Sequence, residues 1–234
     1  IIGLSNRAIA DQVRQDGIDI LVDLAGHTAE NRLPVFAYKP APVQITWLGY
    51  PGTTGMPVMD FRLTDDIADP PGEADKYHSE TLVRLPQGFL CYGPPEDAPD
   101  FSGLPARQNG HITFGSFNNL PKINPQVIAL WSRLLDRVAG SRLLLKSKQF
   151  ADEQVRQRVL DLFSVCGVGA ERLRLFPRTA STSGHLAMYH QVDIGLDPFP
   201  YNGTTTTCES LWMGVPVITL QGDRHAGRVG ASIL

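Results

Sequence analysis

The chain has 234 residues, 42% hydrophobic and 19% charged, which suits a folded protein and is too apolar for a disordered one. Its 21 Lys+Arg against 24 Asp+Glu leave a formal charge of −3 with no basic stripe, arguing against nucleic acid as the main partner. No apolar run reaches the roughly 20 residues that span a bilayer, so no membrane is expected as a partner.

Ile1-Ile2-Gly3-Leu4 has no basic n-region, so no leader peptide is read there. Cys91, Cys166 and Cys208 form no CxxC pair, which fits a reducing, cytoplasmic setting. The chain opens without Met and stops inside a predicted helix, so a piece of a longer protein is expected. A helix is predicted from about Asn6 to Gln15, with Ile9 and Val13 inward and Gly17 as its stop, then a strand over 18–24. A second helical stretch ends before Pro40, a strand covers 43–48, and the turn Gly49-Tyr50-Pro51-Gly52-Thr53-Thr54-Gly55 follows. Short strands near 61–63 and 82–85 complete what reads as the later part of an α/β domain without its opening strands. Residues 94–110 are rich in Pro and Gly, as an interdomain linker is.

From about residue 110 the pattern is regular. A strand over 111–117 leads to a helix capped by Asn124, with Pro125 in its first turn and Gly140 behind it. Val127, Ile128, Trp131, Leu134, Leu135 and Val138 recur on one face of it. Strand 142–146 then precedes helix 152–166, and strand 173–176 a short helix over 183–190. Strand 192–196 precedes helix 205–213, and strand 215–220 a helix from near Ala226. This alternation predicts right-handed crossovers and a doubly wound parallel sheet buried on both faces. The expected division is 1–105 and 106–234.

In such a sheet ligands bind beyond the carboxyl ends of the strands. Asn119 and Lys122 follow the first strand of the second domain, and Thr182 and His185 the third. Asn202-Gly203-Thr204-Thr205-Thr206 and Glu209 follow the fourth, and His225 the fifth. The threonine run opens a helix, so unpaired amides and the positive dipole end suit a phosphate or diphosphate, with Gly203 letting it approach. A threonine-rich cap with no ligand is the other reading. Lys122 would neutralise the anion or be a solvated loop charge, Glu209 would accept from a ribose hydroxyl or be a plain surface carboxylate, and His185 would stack on a base or simply open a helix without a ligand. His27, after strand 18–24, holds a cleft position in the first domain. No Walker-A or GxGxxG motif occurs. Asp65-Asp66 and Asp193/Asp197 are the tight carboxylate groupings, and Asp193, at the start of a buried strand, reads as structural rather than as a metal ligand.

Several segments together resemble glycosyltransferase family 41, the protein O-GlcNAc transferases and SPINDLY proteins. They are Asp23-Leu24-Ala25-Gly26-His27-Thr28, Lys39-Pro40-Ala41-Pro42-Val43-Gln44, Trp47 to Gly55, Phe114 to Asn119, and Gly203 to Leu211. Gly88-Phe89-Leu90-Cys91-Tyr92 and the threonine run resemble the SPINDLY branch. The resemblance implies a GT-B fold of two Rossmann-like domains, the first incomplete here, and metal-independent, inverting transfer of GlcNAc from UDP-GlcNAc to Ser/Thr hydroxyls. It implies upstream tetratricopeptide repeats that choose the protein acceptor, and no cofactor beyond the sugar-nucleotide donor.

By the same resemblance Lys122 is the diphosphate-binding catalytic residue and Asn119 its amide neighbour. Thr205 and Thr206 hold phosphate, Glu209 the ribose and His185 the base. Thr182, Asn202, Gly203 and Thr204 belong to the same donor site, with His27, Gly49, Tyr50, Pro51, Gly52, Thr53 and His225 lining the cleft. Thr204 and Met188 stand where the animal enzymes have His and Arg, so GDP-fucose remains an alternative donor. A noncatalytic sugar-nucleotide-binding scaffold and a small-molecule epimerase are further alternatives.

Overall fold

The computed structural model describes residues 3–234; Ile1 and Ile2, which open the run read for a leader, lie outside the described residues. The chain divides into two compact units, Ile1–Cys91 with Asp223–Ser232, and Tyr92–Gly222 with Ile233–Leu234.

In the first unit α1 (Asn6–Gln15) starts where the Ser5 hydroxyl accepts from the Ala8 amide at 3.2 Å, and buries Ile9 and Ala10. Strands β1 (Ile20–Asp23), β2 (Val43–Thr46), β3 (Phe61–Thr64) and β4 (Thr81–Arg84) pair in that order, all parallel, with α2 (Leu33–Phe36) between the first two. Ile9, Leu33, Val35, Phe36 and Met59 form the core beside this sheet. On β1 the apolar row Ile20, Val22 and Leu24 stays exposed.

The second unit adds α3 (Ala106–Asn109), β5 (Thr113–Ser116), α4 (Pro125–Arg137), β6 (Arg142–Lys146), α5 (Glu153–Val165) and β7 (Leu173–Phe176). It continues with α6 (Thr182–Ala187), β8 (Ile194–Leu196), α7 (Thr205–Trp212) and β9 (Val217–Ile218). The parallel sheet runs β7-β6-β5-β8-β9, a doubly wound order. Asn124 and Asp152 cap α4 and α5 by accepting two amides each. Trp131, Leu135, Phe150 and Phe163 fill the core on one face, each contributing about 1.5–3 kcal/mol by leaving water. Gly115 belongs to β5 because a Cβ there would lie 2.5 Å from Val192.

Two features of the division differ from expectation. Residues 92–105 belong to the second unit: the Ala106 amide donates to Asp193 at 2.8 Å, Asp100 O faces His190, and Ala98 packs on its core. The chain returns to the first unit at Asp223, where α8 (Val229–Ile233) begins six residues later in sequence. There Arg228 Nε donates to Ile67 O at 2.6 Å and Ser232 Oγ to Asp65 at 2.5 Å. These ties are long-range, so local composition does not reveal them.

Candidate functional site

In the second unit the strand order reverses at β5, which has β6 on one side and β8 on the other. Loops leaving a reversal point part from each other and open a crevice at the strands' carboxyl ends. Lys122 reaches it from the 3₁₀ turn Leu120–Lys122 that follows β5. Its Nζ donates to Asn202 O at 2.6 Å and stands 3.9 Å from the centroid of the Tyr201 ring. Burial lowers its pKa to about 8, against the pull of Asp197. For Asp197 burial raises the carboxyl to about 6, although Gly203 N at 2.5 Å and Thr219 Oγ1 at 2.8 Å donate to it.

The loop from β8 folds tightly onto the start of α7. A Cβ on Gly203 would lie 2.5 Å from Thr206 Oγ1 and 2.8 Å from Thr207 Oγ1, so close packing calls for glycine. Its amide serves Asp197 rather than standing open to an anion. Asn202 is buried, with its side-chain amide on Pro198 O at 3.0 Å. Thr204 holds the N-cap position without a side-chain capping bond, and its carbonyl accepts from Thr207 and Cys208. The next two amides, on Thr205 and Thr206, have no intrahelical acceptor. Thr205 is exposed, while the Thr206 hydroxyl donates to Asn118 Oδ1 at 3.2 Å. Lys122 is therefore held at the loop that leads into α7.

His185 and Glu209 also meet, but on each other. His185 Nε2 lies 2.8 Å from Glu209 Oε2, and His185 Nδ1 lies 2.5 Å from Lys146 Nζ. An ammonium only donates, so Nδ1 accepts and the ring proton on Nε2 goes to the carboxylate. The three line a cavity of about 390 Å³ with Phe117, Arg178 and Thr182. A neighbouring cavity of about 560 Å³ is lined by Lys122, Asn124 and Tyr201, and Asn119 and Lys148 border both.

The expected cleft residues of the first unit form a separate group. His27 Nε2 lies 2.9 Å from Thr54 O, and its ring meets Tyr50 edge-on at 5.2 Å. Gly49 crosses so near β1's end that a Cβ would be 2.0 Å from Leu24 O. Buried Arg62 holds the turn from below, donating to Gly52 O at 2.7 Å and Tyr50 O at 2.9 Å. Pro51, Gly52 and Thr53 line a cavity of about 390 Å³ with Asp69 and His225. His225 was expected with the second sheet; instead it belongs to the first unit, buried, with Nδ1 on Asp69 Oδ2 at 2.8 Å. Burial lowers the His225 pKa despite that carboxylate. Burial also opposes ionisation of Asp69, but the His225 bond and charge and the Thr64 hydroxyl overcome it and hold Asp69 at about 2.

The model of glycosyl transferase family 41 matches residues 3–94 and 100–234. The chain belongs to this family. A petunia (Petunia hybrida) protein named probable UDP-N-acetylglucosamine–peptide N-acetylglucosaminyltransferase SPINDLY is 50% identical over all of this chain and 25% of its own length. The Arabidopsis thaliana protein of the same name is 51% identical over 100% of this chain and 26% of its own. The chain thus spans about a quarter of the curated relatives it matches. Among solved structures, Thermobaculum terrenum O-GlcNAc transferase superposes with a TM-score of 0.93 at 41% identity, over 100% of this chain and 44% of that one. Trehalose-6-phosphate synthase OtsA, at 12% identity and TM-score 0.55 over 94% of this chain and 62% of its own, shares the fold alone. The two parallel-sheet units are of the GT-B glycosyltransferase kind.

For this family 41 chain, sequence reasoning missed Lys146, Lys148 and Arg178 around the His185 cavity, and Arg62 with Asp69 under the turn. A signal existed for the first two. Lys146 ends the apolar strand Arg142-Leu143-Leu144-Leu145, so reading the residues after β6 as those after the other strands were read reaches both. Nothing in the spacing points to Asp69 and His225, which lie 156 residues apart.

Proposed function

We propose that the full-length protein is an inverting protein O-glycosyltransferase that moves GlcNAc from UDP-GlcNAc to Ser or Thr hydroxyls without a metal. The single observation that carries this reading is the approach of the Lys122 ammonium to Asn202 O, 2.6 Å away, where the loop enters α7. The ammonium is held at the loop that leads into α7, whose first amides lack intrahelical acceptors, and a cation beside a helix start suits a diphosphate leaving group. The names borne by the petunia and Arabidopsis relatives support the donor and the acceptor class.

In that reaction the acceptor oxygen bonds to the anomeric carbon from the face opposite the nucleotide. The bond from that carbon to the β-phosphate oxygen breaks, its electron pair stays on the departing UDP, and the hydroxyl proton leaves to a base. Negative charge grows on the diphosphate as the bond lengthens. Lys122 and the amides of Thr205 and Thr206 stabilise it more in the transition state than in the bound donor, which is what accelerates the step. Thr182, His185 and Glu209 would hold the nucleoside, the carboxylate exchanging its bond with His185 for a ribose hydroxyl or sharing it. Titrating the full-length protein with UDP-GlcNAc and then weighing an incubated acceptor by mass spectrometry tests this. The expected result is saturable binding and a GlcNAc-sized mass increase on Ser or Thr; binding without any transfer overturns it.

A further inference from the structure

Lys146 is a lysine in a costly place. It is only 6% exposed, and burial lowers its pKa. Taking an ammonium out of water costs several kcal/mol unless partners replace the water. Among the described residues its partners are few: His185 Nδ1 accepts one hydrogen bond, the Phe117 ring centroid lies 5.7 Å away, and the Glu209 charge favours the ammonium. An ammonium carries three N–H donors, so two are left for whatever enters the cavity it lines.

The rest of the cavity wall tilts the same way. Lys148 and Arg178 add donors, and Glu209, the one carboxylate on the wall, already accepts from His185. A cavity with three cationic donors and a single carboxylate that is already engaged favours a planar ring with acceptors on its edge. Nucleobases divide on this point. Uracil and guanine carry a carbonyl oxygen where cytosine and adenine carry an amino group, and an amino group meets an ammonium donor to donor.

We infer that Lys146 selects the base of the donor nucleotide, its free N–H groups binding the exocyclic carbonyl oxygen of a keto base, uracil or guanine, and disfavouring amino bases. His185 acts with it, because its Nδ1 anchors the ammonium in that position. This rests on the nucleotide-sugar reading above and adds to it the residue that reads the base.

Displacement calorimetry on the full-length protein, with UDP against CDP and GDP against ADP, tests it. Wild type should bind at least one keto nucleotide about tenfold or more tightly than its amino counterpart. Lys146→Met should reduce that ratio to about threefold or less, while Lys146→Arg, which keeps the donors, should retain most of it. The ratio is blind to partial misfolding, since an inactive fraction scales both affinities alike. If Lys146→Met weakens all four nucleotides equally, Lys146 holds phosphate or only supports the fold, and the inference fails. It fails too if wild type binds UDP or GDP with no preference over CDP or ADP. Wild type binding none of the four would overturn the transfer reading itself.

Discussion

The two units treat buried carboxylates in opposite ways. In the first, the buried carboxylates collect donors: Asp69 takes His225 and Thr64, and Glu80 accepts from Thr53 Oγ1 at 2.7 Å and the Thr54 amide at 2.7 Å. Asp69 and Glu80 are accordingly held below the ordinary carboxylate range, because those bonds outweigh burial. In the second, Lys122 and Lys146 each have one hydrogen-bond acceptor, and burial shifts both lysines, and Asp197, toward their neutral forms. Matched buried charge marks a strut; under-matched buried charge beside a crevice marks a place prepared for a ligand.

The sharpest way to break this contrast is to remove one member from each side. Asp69→Ala leaves His225 and Thr64 without their common acceptor and Arg62 without the carboxylate 4.0 Å from it, and should cost about 3–5 kcal/mol, read from the denaturant midpoint. Because the folded Asp69 value lies at about 2, below its usual 3.8, its contribution is full above pH 3.8 and fades as pH falls toward 2. The variant should therefore lose that part of the acid dependence; an unchanged midpoint would show that the network is not a strut.

Lys122→Ala should do the reverse in the full-length protein, lowering transfer about 10²–10³-fold while the melting temperature holds. Near-normal turnover would remove Lys122 from the mechanism. The next effect is one of pH. With a folded value of about 8 against the usual 10.5, the Lys122 ammonium of the free protein is lost as pH rises through 8. UDP affinity should fall over that range in wild type and stay flatter in Lys122→Arg. Stability runs oppositely: the cost of the buried ammonium is full below pH 8 and is relieved between 8 and 10.5, so wild type should gain stability there. The smallest effect belongs to Asn124, which lines the same cavity as Lys122 yet caps α4 and donates to Phe199 O at 2.7 Å. Asn124→Ala should lose about 1 kcal/mol of stability and leave UDP affinity within about twofold.

Much of the fold was legible locally. α1 runs from Asn6 to Gln15 as its inward Ile9 and Val13 and its Gly17 stop indicate, and α4 begins at Pro125 as Asn124 indicates. Strands came out shorter than their apolar runs, β9 covering only Val217–Ile218 of an expected 215–220, because ladder pairing ends before apolar character does. The position of Lys122 beside a cavity at a strand end was legible through the rule of strand ends. The pairing of His185 with Glu209 was not, because each residue's partner is set by a side chain 24 positions away.

Alternation of short apolar strands with capped helices, and the small residues at their ends, was enough by sequence alone to indicate two parallel-sheet units. Those are local matters of period, caps and turns, written within a few residues of where they act. Tertiary structure alone decided that Asp223–Ser232 returns to the first unit, that His225 serves Asp69, and that Lys146 stands beside His185 in a donor-rich cavity. Those depend on which distant strands become neighbours, and burial then sets the charge state of what they bring together.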